Sequence, residues 1–205
     1  MSTTTDMNAT RTYTMTTRAR AVQQTRERIL DACVALYGER LVTDIALDDI
    51  ATRAGVSVQT VLRHFGSRTG LEEASFEWAQ RAVTEERRTP VGDVAAAVRV
   101  IVEHYEQRGD QVLLMLGQET AQELMARITE QGRSLHRAWV EDVFAPFLAE
   151  AGDRDELADL LVVATDVYTW KLLRRDRGLG RERTEQRIRR LVDALLAPLA
   201  GRSTT

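Results

Sequence analysis

From Thr25 onward, apolar residues recur at helical spacing. Ile29, Leu30, Cys33, Val34 and Tyr37 fall at i, i+1, i+4, i+5 and i+8, and Gly38 then offers a stop. A connector, Glu39 to Ala46, leads to Leu47, Ile50, Ala51 and Ala54, the apolar face of a second helix of about two turns. Asp48 and Asp49 lie in its first turn, where carboxylates suit the positive end of the helix dipole, and Gly55 ends it. Ser57 is a plausible N-cap for a third helix, in which Val61 and Phe65 recur at i and i+4 before Gly66 and Ser67. A glycine between two short helices marks a helix-turn-helix, because the chain reverses where only glycine takes φ > 0 at little cost.

Beyond Ser67 the pattern lengthens. Residues 69 to 87 carry Leu71, Ala74, Phe76 and Trp78, and Thr89, Pro90 and Gly92 make a break. Val94, Val98, Ile101, Val102 and Tyr105 mark a helix expected to close near Gly109, followed by a separate short apolar piece, Val112 to Leu116. A long amphipathic segment from about Gln118 to Ala151 is expected to bend at Pro146, which removes a backbone donor. Leu157, Leu160, Leu161, Ala164, Val167 and Tyr168 then line one helix, and Ile188, Leu191, Val192, Leu195, Leu196 and Leu199 line another. The short glycine joint at Gly178 to Gly180 makes them an antiparallel hairpin. The expected fold is all-α, with about nine helices. Three regions follow: a Thr-rich, basic, disordered arm over 1–24, a helix-turn-helix domain over 25–70 and a helical domain over 71–205.

Composition fits this picture: 43% hydrophobic, 29% charged and three prolines in 205 residues suit a globular helical chain. The net charge of −3 argues against a nucleic-acid partner, but it conceals an asymmetry, since residues 1–70 carry +2 and residues 71–205 carry −5. The arm reads first as an inert solvated tail, and its functional alternative has Arg11, Arg18 and Arg20 reach DNA phosphates or a minor groove. No apolar run is long enough to span a membrane and no secretory signal opens the chain, so a cytoplasmic location is expected. The single cysteine, Cys33, sits among apolar neighbours and reads as a small buried hydrophobe. Three histidines far apart in sequence, without a metal-ligand cluster or a Gly-rich phosphate loop, give no sign of an enzyme, a metal or a cofactor.

The stretch "RILDACVALYGERLVTDIALDDIATRAGVSVQTVLRHFGSRTGL" resembles the TetR family of bacterial transcriptional regulators. Asp49-Ile50-Ala51, Ala54-Gly55-Val56-Ser57, Thr60, Arg63-His64-Phe65, Ser67-Arg68 and Leu71 match the family's pattern in order and spacing. Val58, Leu62 and Ala46 depart from it, standing where the family often has a basic or small polar residue, a Tyr and a Thr N-cap. Losing the Tyr and the basic residue removes phosphate contacts and predicts weak nonspecific DNA affinity.

The resemblance implies a homodimeric regulator, most often a repressor, released from a palindromic operator on double-stranded DNA by a small-molecule effector of unidentified chemistry. The alternative is a helical dimer that acts through a protein partner. On the third helix Gln59, Thr60, Arg63 and His64 should point outward. Gln, Arg and Thr can read base edges, with Ser57 and His64 assigned to phosphates. Val58 and Leu62 fit either packing or DNA contact, and Arg68 is expected on a phosphate beside helix backbone amides. Candidate effector-pocket residues are Trp78, His104, Tyr105, Met115, Trp139, Phe144, Tyr168 and Trp170. Candidate dimer-interface residues are Leu160, Ala164, Val167, Ile188, Leu191, Val192, Leu195 and Leu199.

Overall fold

In the computed structural model residues 6–200 are described, with side chains from 19 to 199. Arg11 and Arg18 fall outside the described side chains, and Arg20 is exposed. The described residues form two units, Met1–Gln80 and Arg81–Thr205, so the division falls ten residues beyond the expected boundary, inside a helix.

The N-terminal unit is built on α1 (Asp6–Glu39), α2 (Leu47–Ala54), α3 (Val58–Phe65) and α4 (Arg68–Glu86), which continues past Gln80. Helix α1 begins at Asp6, within the stretch expected as a disordered arm over 1–24, and no Gly or Pro interrupts it there. Ile29, Leu30, Cys33, Leu36 and Tyr37 of α1 are buried with Ile50, Ala51 and Ala54 of α2, Val61 of α3 and Leu71 of α4. A single 3-10 turn, Val42–Asp44, shapes the connector before α2.

The C-terminal unit holds α5 (Val94–Leu116), α6 (Glu123–Val143), α7 (Ala145–Glu150), α8 (Arg154–Thr165), α9 (Val167–Lys171) and α10 (Arg181–Ala200), with a π-helical turn at Leu172–Asp176. Helix α5 packs against α6, α9 and α10, and buries Ala96, Ala97, Val98, Ile101, Val102 and Tyr105 while Arg99, Gln107 and Asp110 stay exposed. Its core partners include Val140, Val143 and Phe144 from α6 and the residue after it, Leu161 from α8, Trp170 from α9, and Ile188 and Val192 from α10.

Three expectations are corrected here. Helix α5 does not close at Gly109 but runs through it to Leu116, taking in the apolar piece expected to stand alone. The segment from Gln118 to Ala151 is broken at Phe144, and Pro146 sits in the first turn of α7, where its missing N–H leaves no bond unmade. The first arm of the final hairpin is interrupted at Asp166, which is extended and whose carboxylate accepts the Tyr168 N–H to start α9.

Gly109 persists inside a helix because Trp170 lies against it: a Cβ there would stand 2.5 Å from the indole Cζ3. Gly132, in α6, has open space around its would-be Cβ. We expect Gly109→Ala to lower unfolding free energy by about 1–2 kcal/mol, overpacking outweighing the helix-propensity gain. Gly132→Ala should raise it by about 0.5–1 kcal/mol. Urea denaturation of the two variants checks the opposite signs.

Candidate functional site

The corner between α2 and α3 is fixed by backbone chemistry. Ala46 cannot cap α2 with its side chain, but its N–H donates to the Asp49 carboxylate at 2.7 Å, and this bond, with Arg40 at 3.4 Å, holds the carboxyl below its usual range. Gly55 ends α2 in the left-handed region (φ 67°, ψ 40°), and Val56 N–H returns to the Ala51 carbonyl at 3.0 Å. Ser57 Oγ accepts the Thr60 N–H at 3.2 Å and pairs with the Thr60 hydroxyl at 3.0 Å. Gly66 (φ 76°) closes α3.

Behind α3, Val61 is fully buried and anchors the helix. Phe65, expected to face the core, is only half-buried, and the Arg26 guanidinium lies 5.1 Å from its ring centroid. In front, Gln59, Leu62 and Arg63 are exposed on one stripe at i, i+3 and i+4. Val58, Thr60 and His64 flank that stripe, half-buried, and Ser57 is exposed at its start. The choice left open for Leu62 is thereby narrowed: its side chain packs little and stands between Gln59 and Arg63.

Arg68, expected on a phosphate, is also engaged within the protein, with its side chain 40% exposed. Its Nε donates to Glu72 Oε1 at 2.8 Å and its Nη1 donates to the Ile45 carbonyl at 2.8 Å. The Tyr37 hydroxyl donates to the same Glu72 oxygen at 2.9 Å. Burial, followed by the neighbouring Cys33 and Glu72, raises the Tyr37 phenol well above its ordinary range, and burial likewise raises the Cys33 thiol. One carboxylate thus ties α1, the connector before α2, and the start of α4. The sequence had no local cue for this, since the partners are 23 and 35 residues apart.

In the C-terminal unit the candidate pocket residues separate. His104, Tyr105, Phe144 and Trp170 are buried, Met115 and Trp139 are half-buried, and Tyr168 is exposed at 55%. Trp78 belongs to the N-terminal unit, where its indole donates to Asp31 at 2.7 Å. Phe144 and Trp170 are core residues, and Trp170 also donates to Glu106 at 2.9 Å. His104, Tyr105 and Trp139 instead meet polar groups that sequence reading missed: Arg87, His136 and Thr165, all buried. Burial and the nearby Arg87 charge depress the histidines, His104 to about 2 and His136 to about 3, so both are neutral at physiological pH. Glu86 approaches His104 Nδ1 to 3.4 Å, but that carboxylate is engaged by Arg108 and does not charge the imidazole.

The expected dimer stripe also divides. Ala164, Val167, Ile188, Val192 and Leu199 are buried in the chain's own core and are corrected from interface to core. Leu160 (44%) and Leu191 (47%) are exposed and Leu195 is half-buried; Val163, at 63%, is exposed too, although sequence reading did not single it out. Helices α8 and α10 pack on each other, so one face of each was already used. Among the described residues no helix is long and apolar enough to cross a membrane.

The family model for "Bacterial regulatory proteins, tetR family" matches residues 29–74, the whole of the corner and its support. Over that segment the chain matches the TetR family. Solved structures share the architecture beyond that segment. A transcriptional regulator from Rhodococcus sp. Rha1 is 17% identical with a TM-score of 0.63, over 84% of this chain and 96% of that one. A TetR-family regulator from Rhodococcus sp. is 16% identical, TM-score 0.64, over 84% and 98%. One from Streptomyces coelicolor is 17% identical, TM-score 0.65, over 87% and 83%. At these identities the likeness is one of fold. No curated protein sequence matches the chain.

Within this TetR-family domain the Glu72 cluster makes a distinct demand on Arg68. Arg68→Ala leaves the largely buried Glu72 carboxylate with the Tyr37 hydroxyl as its donor and takes the Arg68 donor from the Ile45 carbonyl, and we expect a loss of about 1–3 kcal/mol in stability. Arg63→Ala, at an exposed position, should change stability by less than about 0.5 kcal/mol. Thermal denaturation of both variants without DNA checks the contrast.

Proposed function

We propose that this TetR-family protein is a homodimeric transcriptional repressor that reads a palindromic operator with α3 and is released by a small molecule. The observation that carries the reading is the stripe of Gln59, Leu62 and Arg63 on a helix whose opposite side is locked by fully buried Val61. Such a stripe fits a major groove: Arg63 can take a guanine edge, Gln59 an adenine edge and Leu62 a thymine methyl. Ser57, Thr60 and His64 flank it with groups suited to phosphate, and Val58 adds an apolar edge. Arg68 supports this surface from within.

Dimerisation is supported by the exposed apolar residues Leu160 and Val163 on α8 and Leu191 on α10, with Leu195 beside them. Two such helix pairs related by a two-fold axis would bury these residues in a four-helix bundle. A two-fold dimer would set two copies of α3 about one DNA turn or somewhat more apart.

Selection of bound duplexes from a random pool by the full-length protein, at two salt concentrations, tests the reading directly. We expect enrichment of a two-fold palindrome whose affinity falls with salt. In the same assay Arg63→Ala should relax one position in each half-site, with a discrimination loss of about 1–3 kcal/mol. A folded dimer that enriches nothing would move the function to a protein partner. Separately, Leu191→Asp should shift the solution mass from dimer to monomer, read by light scattering. A dimer of unchanged stability would remove α10 from the interface.

A further inference from the structure

The C-terminal unit buries a guanidinium that forms no ion pair, although Glu86 and Asp166 lie near enough to act on its charge. Arg87, just after α4, is 8% exposed, and its Nε has no hydrogen-bond partner. The groups it meets are the ring and hydroxyl of Tyr105, the ring centroid lying 5.7 Å from Cζ. Burial keeps that phenol protonated, so it offers a π face and a lone pair but no compensating charge. Two acids bear on Arg87 without forming an ion pair with it. Glu86 is held by Arg108, and an Asp166 oxygen accepts the Tyr168 N–H at 2.8 Å. An uncompensated buried charge is among the most unfavourable arrangements a fold can hold.

Around Arg87 the contacts close into a ring. The Trp139 indole donates to the Arg87 carbonyl at 2.9 Å and stacks on His136, with centroids 5.7 Å apart and planes 16° apart. His136 Nε2 pairs with Thr165 Oγ1 at 3.1 Å, and the Tyr105 hydroxyl donates to the Thr165 carbonyl at 3.2 Å. Tyr105 then returns to Arg87. The Nδ1 atoms of His136 and of His104, whose ring meets Tyr105 edge-on at 5.4 Å, make no hydrogen bond, and a Glu86 carboxylate oxygen stands 3.4 Å from that of His104. Three buried nitrogens without a hydrogen bond therefore gather where such groups are ordinarily satisfied.

We infer that this ring is an anion site, and that the effector carries a carboxylate that pairs with Arg87. The inference rests on the ligand response proposed above and deepens it by naming the ligand's chemical class. With both histidines neutral, Arg87 is the one charged member of the ring, and Glu86 and Asp166 act on it from outside the ring. A monoanionic carboxylate balances it, whereas a phosphate dianion would leave one negative charge buried. The planar guanidinium fork matches the two carboxylate oxygens, and the two imidazoles, each able to give or take a hydrogen bond by tautomer, meet further polar groups of the ligand.

The test uses the full-length protein without DNA, so that it does not depend on operator reading. Formate, acetate and benzoate are titrated against formamide, acetamide, benzamide and chloride at matched ionic strength, with thermal midpoint and tryptophan emission as readouts. Wild type and Arg87→Met, which keeps an unbranched stem without the charge, are compared. We expect at least one carboxylate to give a saturable rise in midpoint and a change in emission, its amide and chloride to give neither, and Arg87→Met to weaken binding at least tenfold. Ligand-free Arg87→Met should melt a few degrees higher than wild type, because an uncompensated charge has been removed.

Carboxylates that act no better than their amides, or that bind the Met variant equally well, overturn the assignment. So does a Met variant that melts lower or fails to fold, since the guanidinium would then be a structural partner of this unit. If operator selection succeeds while the carboxylates fail, only the anion site falls. If the carboxylates bind but no operator is enriched, the site stands and the DNA reading falls.

Discussion

An eight-residue helix makes too few backbone hydrogen bonds to persist alone in water, and the exposed stripe of α3 depends on meeting that constraint. Helix α3 is closed at its start by the Ser57 hydroxyl and at its end by Gly66, and Val61 is fully buried behind it. Its neighbour α2 is equally short and is started by the Ala46–Asp49 bond instead of a side-chain cap. Neither helix has residues to spare for both stability and recognition. The division is made by face: inward positions hold the fold, and outward positions are left free of structural duty. The long helices supply what the short ones lack, and Glu72 is where they do so, taking donors from Tyr37 and Arg68 while Arg68 holds the Ile45 carbonyl.

What could be read from the sequence follows from how far apart the interacting residues lie along the chain. The Gly55 turn, the Ser57 cap and the buried side of α3 depend on residues within four positions of one another, and the pattern announced them. The TetR-family resemblance rested on the same segment. Gly109 misled because a glycine's helix-breaking tendency is local, while its reason here, the Trp170 ring, lies 61 residues on. Arg68 had a partner out of local view in the same way: a basic residue at a helix start suits a phosphate, and nothing nearby in sequence announced that Ile45 would also accept from it. On the hairpin helices, periodicity marked an apolar face but could not say which part meets the chain's own core. Ile188 and Val192 were needed within, leaving Leu191 and Leu160 outside.

Arg87 is the sharper case, because in the run Glu85-Glu86-Arg87-Arg88 nothing distinguishes it from a solvated surface arginine. Arg88 behaves as expected and pairs in the open with Glu85. One position earlier the side chain turns inward, and its carbonyl accepts from Trp139 and from the Thr89 hydroxyl. His136 and Thr165 join it from helices that carry ordinary amphipathic patterns. A polar cluster assembled from single residues on separate helices has no periodicity of its own, so sequence pattern registers only the apolar shell around it.

Energetics give such a cluster a role that a fully paired interior would not supply. A ligand shifts a conformational equilibrium only by the difference in its affinity for the two states. A guanidinium already neutralised by Glu86 or Asp166 would offer an arriving anion little, because one ion pair would merely replace another. Left uncompensated, the same group makes the empty state unfavourable and the anion-bound state much better, and a difference of about 1–3 kcal/mol suffices for allosteric control. Under the proposed anion response, the stability given up by burying Arg87 without an ion pair would be the source of the regulatory free energy.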